Sequence, residues 1–348
     1  MPDVVHWWAT RGVGFENALV NMNDKVTEGF RARFSATAFD ASIVTDRDVR
    51  NWADDPQSSN VVLALEEGDI HQIPLDVGGF FTIYANNDTL AEVGLDNQVP
   101  DSYEQFIEFA AEVADGTDYA GFVIAGGLSD VYYNWMGRAV EASYLGVDKS
   151  VGLINREEKM NDPENIKPLK MFESLVNAGA LLDGSISMDI DGADQAFAVG
   201  QAAYLLGGSF PYGQLSAMGM DVSNVSSFTV PLMEGGAHNE FLTNSFTLTA
   251  LAISDASDHK DAAWDLVEFL TADPAGAVAL ANDGYVLPAA NLGANRSDLI
   301  PVLQNVYEGF SDSPNVVTLV DNHPTNIGRR AEWDELYNDM QRIITGEL

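Results

Sequence analysis

The sequence predicts an α/β protein built from two lobes. Its 348 residues exceed what one ordinary hydrophobic core accommodates. Hydrophobic side chains make up 46% of the chain, which is enough for packed domains and far from the composition of a disordered protein. Segments with helical and with strand periodicity alternate along the chain. This alternation is typical of sheets flanked by helices.

The predicted strands are short apolar runs, rich in β-branched residues, that end at glycine or polar residues. The chain opens on such a run, which ends in Trp7 and Trp8. Other strands are predicted at residues 70–84 (two strands separated by a Gly-Gly break), 121–125, 202–206 and 246–253. Ligand crevices of open α/β sheets lie at strand ends, so we expect binding side chains at such positions.

One helix is predicted from its start signal. Ser102 and Gln105 have the spacing of a capping box. An apolar stripe at i, i+3, i+4 and i+7 follows them. Its members are Tyr103, Phe106, Ile107 and Ala110.

Four further helices are predicted in the rest of the chain. Asp273 caps a helix whose first residue is Pro274, a favourable place for proline. Another helix is expected at residues 192–200. The helix after strand 246–253 is expected to have one apolar face of Ala262, Leu266, Phe269 and Leu270. The last helix, near 329–345, is expected to carry Trp333, Leu336, Met340 and Ile344.

The charge of the chain excludes a nucleic-acid partner. Asp and Glu number 53 against 17 Lys and Arg, a formal net charge of −36, which repels phosphate backbones. Self-repulsion of this size destabilises a compact state in dilute buffer, whereas molar salt shortens the Debye length to about 3 Å and screens it. We interpret the charge as adaptation to high salt. The alternative is an ordinary acidic bacterial surface protein.

No residue pattern predicts a metal, a cofactor or covalent catalysis. Cysteine is absent and the five histidines are scattered. Asp189, Asp191 and Asp194 lack the order of a calcium loop, and capping of a helix by Asp191 or Asp194 is the preferred interpretation. No stretch of about 18 apolar residues exists. No signal peptide precedes residue 30, so we expect either a cytoplasmic protein or one that has lost its leader.

A set of aromatic residues remains as the candidate site. Each one alone is more often core packing, but together they fall at element ends beside Gly, Ser, Pro and Asn. Indole and phenol rings offer flat apolar faces with polar tips, which suit the faces and hydroxyl edges of a sugar. Because no nucleophile or metal motif accompanies them, the set favours binding without turnover. Its members are Trp7, Trp8, Tyr132, Tyr133, Trp135, Phe210, Tyr212 and Trp333.

At these residues the chain resembles the family 1 extracellular solute-binding proteins of ABC transporters, in particular the maltodextrin-binding members. The similarity is weak per position but collinear over nearly the whole chain. The segments that carry it are Pro2–Arg11, Ile73–Asp88, Val99–Phe106, Asp130–Trp135, Gly200–Tyr212 and Thr325–Trp333.

The resemblance implies a two-lobed periplasmic-binding-protein-like fold of type II, each lobe a mostly parallel sheet flanked by helices. Lobe one would comprise residues 1–79 plus 246–312, and lobe two residues 80–245 plus 313–348. The family's first βαβ unit has no counterpart here, so lobe one is expected to be incomplete. We expect the complete protein to be monomeric and this chain to be less stable and more prone to associate, because an exposed strand edge favours pairing.

The implied function is that of the extracellular substrate-binding component of an ABC sugar importer, tethered to the cell surface and not an enzyme. It would capture a mono- or oligosaccharide, such as a maltodextrin, between the lobes by hinge closure, and membrane permease subunits would recognise the closed state. Two alternatives stay open. One is a carbohydrate-active enzyme such as a glycosidase or lyase. The other is a binding protein for a non-sugar solute such as a polyamine.

The resemblance also implies individual ligand contacts. Where the family has an acidic residue before Arg11, this chain has Thr10, and two lighter aromatic rings stand where the family has two indoles. The residues implied for hydroxyl groups are Arg11, Asp76 and Asp130. The residues implied for stacking on sugar rings are Trp7, Tyr132, Trp135, Phe210, Tyr212 and Trp333.

Overall fold

A computed structural model describes most of the chain and divides it into two compact units. The first unit contains the described parts of 2–79 and 246–304, and the second contains those of 81–239 together with residues 338–339 and 342. The described residues are 2–11, 18–35, 38–54, 58–60, 62–79, 81–128, 131, 133–154, 158–239, 246–284, 286–301, 303–304, 338–339 and 342.

Helices and strands alternate, which confirms the predicted α/β class. The strands are β1 (Val4–Trp8), β2 (Ile73–Gly78), β3 (Thr82–Asn86), β4 (Ala120–Val123), β5 (Ala202–Gly207), β6 (Val225–Thr229), β7 (Phe246–Ile253) and β8 (Leu287–Pro288). The helices are α1 (Glu28–Arg31), α2 (Asp46–Asp54), α3 (Asn87–Ala91), α4 (Tyr103–Gly116), α5 (Arg138–Leu145), α6 (Val147–Ile154), α7 (Pro163–Ile166), α8 (Lys170–Asn177), α9 (Ile190–Ala198), α10 (Pro211–Ala217), α11 (Lys260–Ala272) and α12 (Pro274–Gly284). A π-helical turn, Tyr133–Gly137, precedes α5.

The first unit is organised around β7. Its described strands form a sheet in the order β1-β7-β2-β8, and every neighbouring pair is antiparallel. Trp8 lies opposite Thr249, and Asp76 lies opposite the same threonine on the other side of β7. The carboxyl end of β1 and the middle of β2 therefore meet at one residue of the central strand.

The second unit has a sheet in the order β4-β5-β3-β6 with an aromatic core on one face. Phe106 of α4 packs edge-to-face on Phe122 and Tyr204, with ring centroids 5.2 and 5.3 Å apart. Edge-to-face pairs of this kind add about 0.5–1.5 kcal/mol each beyond the area they bury. They hold α4 on the sheet and leave the opposite face to α9 and α10.

Several predicted elements are confirmed. The predicted strand 246–253 has those bounds, and β2 and β3 are separated as expected. Ser102 caps α4 by accepting from the backbone N–H of Gln105 at 3.2 Å. The Gln105 side chain bonds the N–H of Asp101 instead of closing the box on Ser102. Asp273 caps α12 through two backbone N–H groups, as predicted.

Three sequence predictions were wrong in detail. Among the described strand pairs only β4–β5 is parallel, since β7 runs antiparallel to β1 and β2, β3 to β5 and β6, and β8 to β2. The cap of α9 is Asp189, which accepts from the N–H of Gly192. In α11 Leu266 and Phe269 are exposed, whereas the buried side is formed by Ala263, Trp264, Val267 and Thr271. The helix predicted at 329–345 lies largely outside the described residues.

Candidate sugar-binding surfaces

The end of β1 presents two exposed indoles in the first unit. Trp7 is 50% exposed and Trp8 is 43% exposed. Successive side chains of a strand point to opposite faces, so Trp7 lies on one face of the sheet and Trp8, with His6, on the other. An exposed indole at a strand end is a flat apolar surface that a sugar ring can cover.

Arg11, just beyond β1, is buried and bonded to the protein. Its Nε lies 3.1 Å from the Asp48 carboxylate and 3.0 Å from the Ile43 carbonyl, and a terminal nitrogen donates to the Asp40 carbonyl at 2.8 Å. The φ angle of Arg11 is +57°, an uncommon left-handed value for a non-glycine residue. The sequence predicted a sugar contact for this guanidinium. In the structure the guanidinium N–H groups of Arg11 point into the unit and bond the protein, which holds the loop that follows Trp8 in place.

Asp76 of β2 is also buried, at 5% exposure. Its Oδ1 accepts the backbone N–H of Thr249 at 2.8 Å and the hydroxyl of the same residue. Burial raises the pKa of Asp76 to about 6, against the lowering effect of these hydrogen bonds. The carboxylate predicted to bond a sugar hydroxyl is therefore engaged with the neighbouring strand.

In the second unit the candidate surface is the turn after β5. The hydroxyl of Tyr84 donates to the Gly208 carbonyl at 2.6 Å. A Cβ atom on Gly208 would lie 2.2 Å from the ring of Phe210, so this close approach requires glycine. Phe210 is half-buried, and Trp135 meets it nearly perpendicularly with centroids 5.9 Å apart. The pair is thus a supported aromatic platform, held at a glycine turn.

Trp135 comes from the π-helical turn that precedes α5. Such turns are rare and occur frequently at functional sites. Trp135 itself is only 7% exposed, which makes it the support of Phe210 and not a second open face. Tyr212, predicted to stack on sugar, is buried at the start of α10, edge-on to Tyr84 at 5.0 Å.

The remaining predicted ligand residues are Asp130, Tyr132 and Trp333. All three lie outside the described residues, so their roles stay predictions.

Sequence reasoning missed the environments of three polar side chains, His6, Thr249 and Asp194. His6 and Thr249 join Asp76 in one hydrogen-bond chain, because β7 lies between β1 and β2, a strand order that no local pattern encodes. Asp194 is buried inside α9, and one of its carboxylate oxygens has no hydrogen-bond partner among the described residues. Burial, with a smaller contribution from the charge of Asp191, raises the pKa of Asp194 to about 7. The only sequence signal was its place among three aspartates.

Within the part of the chain that the structure covers, no cluster of three or more His, Cys, Asp and Glu side chains is arranged to hold a metal ion. None of the helices found there has the length and apolar composition needed to cross a membrane.

A family model for bacterial extracellular solute-binding proteins matches residues 19–277 of the chain, well over half of its length. The chain belongs to this family. The resemblance seen in the sequence is confirmed by this match. No curated protein matches the sequence.

Several solved structures share this fold. One comes from a study of xylan utilization by the thermophilic bacterium Caldanaerobius polysaccharolyticus; it is 17% identical with a TM-score of 0.73, covering 100% of this chain and 82% of that one. A chitin oligosaccharide binding protein is 17% identical, with a TM-score of 0.72 and coverages of 100% and 79%. Maltose-bound MalE3 of T. maritima is 15% identical, with a TM-score of 0.68 and coverages of 99% and 83%. At these identities the comparison shows a shared fold.

Proposed function

We propose that this solute-binding protein is the substrate-binding component of an ABC sugar importer and captures a mono- or oligosaccharide. The observation that carries the proposal is the platform of Phe210, held edge-on by Trp135 at a glycine turn. The chitin oligosaccharide binding protein and the maltose-bound MalE3, which share the fold, support carbohydrate as the ligand class.

The platform suits a sugar because Phe210 is a partly exposed aromatic ring at a glycine turn. A pyranose ring presents C–H groups to an aromatic face and hydroxyls at its rim. Gly208 brings its backbone close to the Phe210 ring, and Ser209 precedes Phe210 in the chain. In the first unit we propose the same role for the exposed face of Trp7. Asp130, Tyr132 and Trp333 are proposed to complete the contacts.

We assign Arg11 and Asp76 to the support of this surface and not to the ligand. Their hydrogen bonds to Asp40, Ile43 and Thr249 would have to break before they could bond a sugar hydroxyl. A buried charge that loses its partner is destabilised by several kcal/mol, more than a single new hydroxyl contact returns.

Capture is proposed to proceed by closure of two lobes on the sugar, with lobe boundaries at 1–79 plus 246–312 and 80–245 plus 313–348. A ligand that contacts both lobes only when they are closed shifts the population to that state. Membrane permease subunits would then bind the closed form. The proposed site of action is outside the cell, with the full-length protein tethered to the cell surface.

The net charge of −36 supports a protein that works at high salt. At low ionic strength the charge also favours a cationic solute such as a polyamine as ligand. The aromatic platform favours sugar, because stacking of a neutral sugar ring on an aromatic face still stabilises binding when salt screens the charges.

The experiment that separates a carrier from an enzyme is incubation with sugars in 2 M KCl followed by chromatography. The probes are malto-oligosaccharides, chitin oligosaccharides, xylo-oligosaccharides and spermidine. A carrier returns the sugar intact after saturable binding. Consumption of any of the sugars would show a carbohydrate-active enzyme, and tight binding of spermidine alone would replace sugar by a polyamine.

A further inference from the structure

A chain of hydrogen bonds crosses three strands of the first unit. The His6 Nε2 atom on β1 lies 2.9 Å from the Thr249 hydroxyl on β7. That hydroxyl also bonds the Asp76 carboxylate on β2, and the backbone N–H of Thr249 donates to the same oxygen at 2.8 Å. One threonine therefore links the central strand to the neighbours on both sides.

The donor and the acceptor of each bond in this chain follow from the hydrogens that Asp76, Thr249 and His6 carry. An ionised carboxylate only accepts, so the Thr249 hydroxyl donates its single hydrogen to Asp76. The hydroxyl oxygen then accepts from Nε2–H of His6, which places the proton of neutral His6 on Nε2. The chain has one direction, from the exposed His6 to the buried Asp76.

Asp76 occupies an irregular position in the sheet. The register of β2 on β7 shifts on both sides of this residue, between Pro74 and Asp76 and again between Asp76 and Val77. In a regular antiparallel ladder a backbone carbonyl would accept the N–H of Thr249. At this bulge the Asp76 carboxylate accepts it instead. The side chain thus completes the pairing of two strands where their backbones fall out of register.

The contact lies beside two of the places where the chain passes between units. The first segment of the first unit ends at Gly79, three residues after Asp76, and the next segment includes β7, which begins at Phe246, three residues before Thr249. The Thr247 hydroxyl further anchors β7 by donating to the buried Ala38 carbonyl. Residues at the ends of elements absorb the backbone rotation of a domain closure. A firm anchor behind them confines that rotation to the connecting residues.

We propose that Asp76 and Thr249 form a clamp that holds β2 and β7 together at the chain crossings and sets ligand affinity without touching the ligand. The effect on affinity rests on the proposed function. A loosened clamp lets the two strands move apart and lowers the population of the binding-competent state. The apparent dissociation constant rises by the same factor as that population falls.

The test uses Thr249→Val, which removes the hydroxyl and keeps the shape of the side chain. Thr249→Ser restores the hydroxyl. The matched control is Thr271→Val on α11, a buried threonine of the same unit, whose hydroxyl donates to the Val267 carbonyl. Amide hydrogen exchange is measured without ligand, and affinity is measured with maltotriose and chitotriose as probes in 2 M KCl.

Thr249→Val should speed exchange of the β2 and β7 amides next to the crossings by about tenfold or more. It should weaken the binding of the sugar probe about three- to tenfold, while Thr249→Ser stays within about twofold of the natural protein. Thr271→Val should lower the melting temperature without either effect. If Thr249→Val leaves the amide exchange rates of β2 and β7 unchanged, or if Thr271→Val raises them equally, the proposed clamp is wrong.

Faster exchange with unchanged sugar affinity would show a purely structural contact and would overturn the positioning role. If the natural protein binds neither probe and none of the other sugars, the proposed function fails. The exchange measurement then still decides whether the clamp holds the two strands.

Discussion

Replacing Asp194 by asparagine should make the protein more stable at neutral pH and leave its stability at pH 4 nearly unchanged. Asp194 is 2% exposed, and burial is the main reason why its pKa rises from 3.8 to about 7. The amide in Asp194→Asn matches the protonated acid in shape and charge. It therefore keeps the packing and removes only the charge.

The size of the effect follows from the difference between the folded and unfolded pKa of Asp194. The folded state binds the proton more tightly, so the stability contributed by this group is complete below about pH 4 and is lost as pH rises toward 7. A shift of about three pH units at 1.36 kcal/mol each corresponds to roughly 4 kcal/mol. Asp194→Asn should recover most of that amount at pH 7.5 and almost none at pH 4.

The assay is urea unfolding of both proteins at half-unit steps from pH 4 to pH 8 in 2 M KCl. The control is Glu173→Gln, an exposed carboxylate on α8, for which we expect a change within about 0.5 kcal/mol. The difference between Asp194→Asn and the natural protein should open between pH 4 and pH 7. If the free energies of unfolding of the two proteins run parallel over this pH range, Asp194 does not carry a buried charge at neutral pH and the reasoning is refuted.

Three other predictions follow from charge and packing. Raising KCl from 0.1 to 3 M should raise the melting temperature steeply because 53 acidic side chains lose repulsion, and a flat profile would contradict salt adaptation. Arg11→Met should destabilise the first unit by about 3 kcal/mol because Asp48 loses its buried cation, whereas Arg50→Met, at an exposed pair, should change stability by under about 1 kcal/mol in the same melts. Trp7→Ala should weaken sugar binding about tenfold in calorimetry, while Trp264→Ala, which removes a buried ring packed on Phe30, should lower the melting temperature and spare affinity.

Local patterns predicted the elements whose signals lie within a few residues. The strand Phe246–Ile253 is an uninterrupted apolar and β-branched run, and the starts of α4 and α12 are capped by the residues that the spacing indicated. The face of α11 was predicted from apolar spacing alone. Two of its apolar residues, Leu266 and Phe269, are exposed because Trp264 and Val267 pack on the unit instead. Which apolar face is buried depends on neighbours far away in the chain.

The candidate site was predictable in its aromatic part only. Phe210 and Trp135 stood out because they lie beside glycine and asparagine at element ends, where a core ring is uncommon. The burial of Tyr212 depends on the position of Tyr84, more than 120 residues earlier, since the two rings pack edge-on. The bonding of Asp76 to Thr249 depended on a bulge in the register of β2 on β7. Neither contact has a signature within a sequence window.

Calorimetric titration of the natural protein with malto-, chitin- and xylo-oligosaccharides in 2 M KCl shows whether it captures a sugar. We predict saturable one-to-one binding of at least one of these sugars with a dissociation constant well below about 1 mM, a binding free energy stronger than about −4 kcal/mol. Affinity should fall when Phe210 is replaced by alanine. If no sugar binds below the millimolar range, or if Phe210→Ala binds as tightly as the natural protein, the aromatic platform is core packing and sugar capture is contradicted.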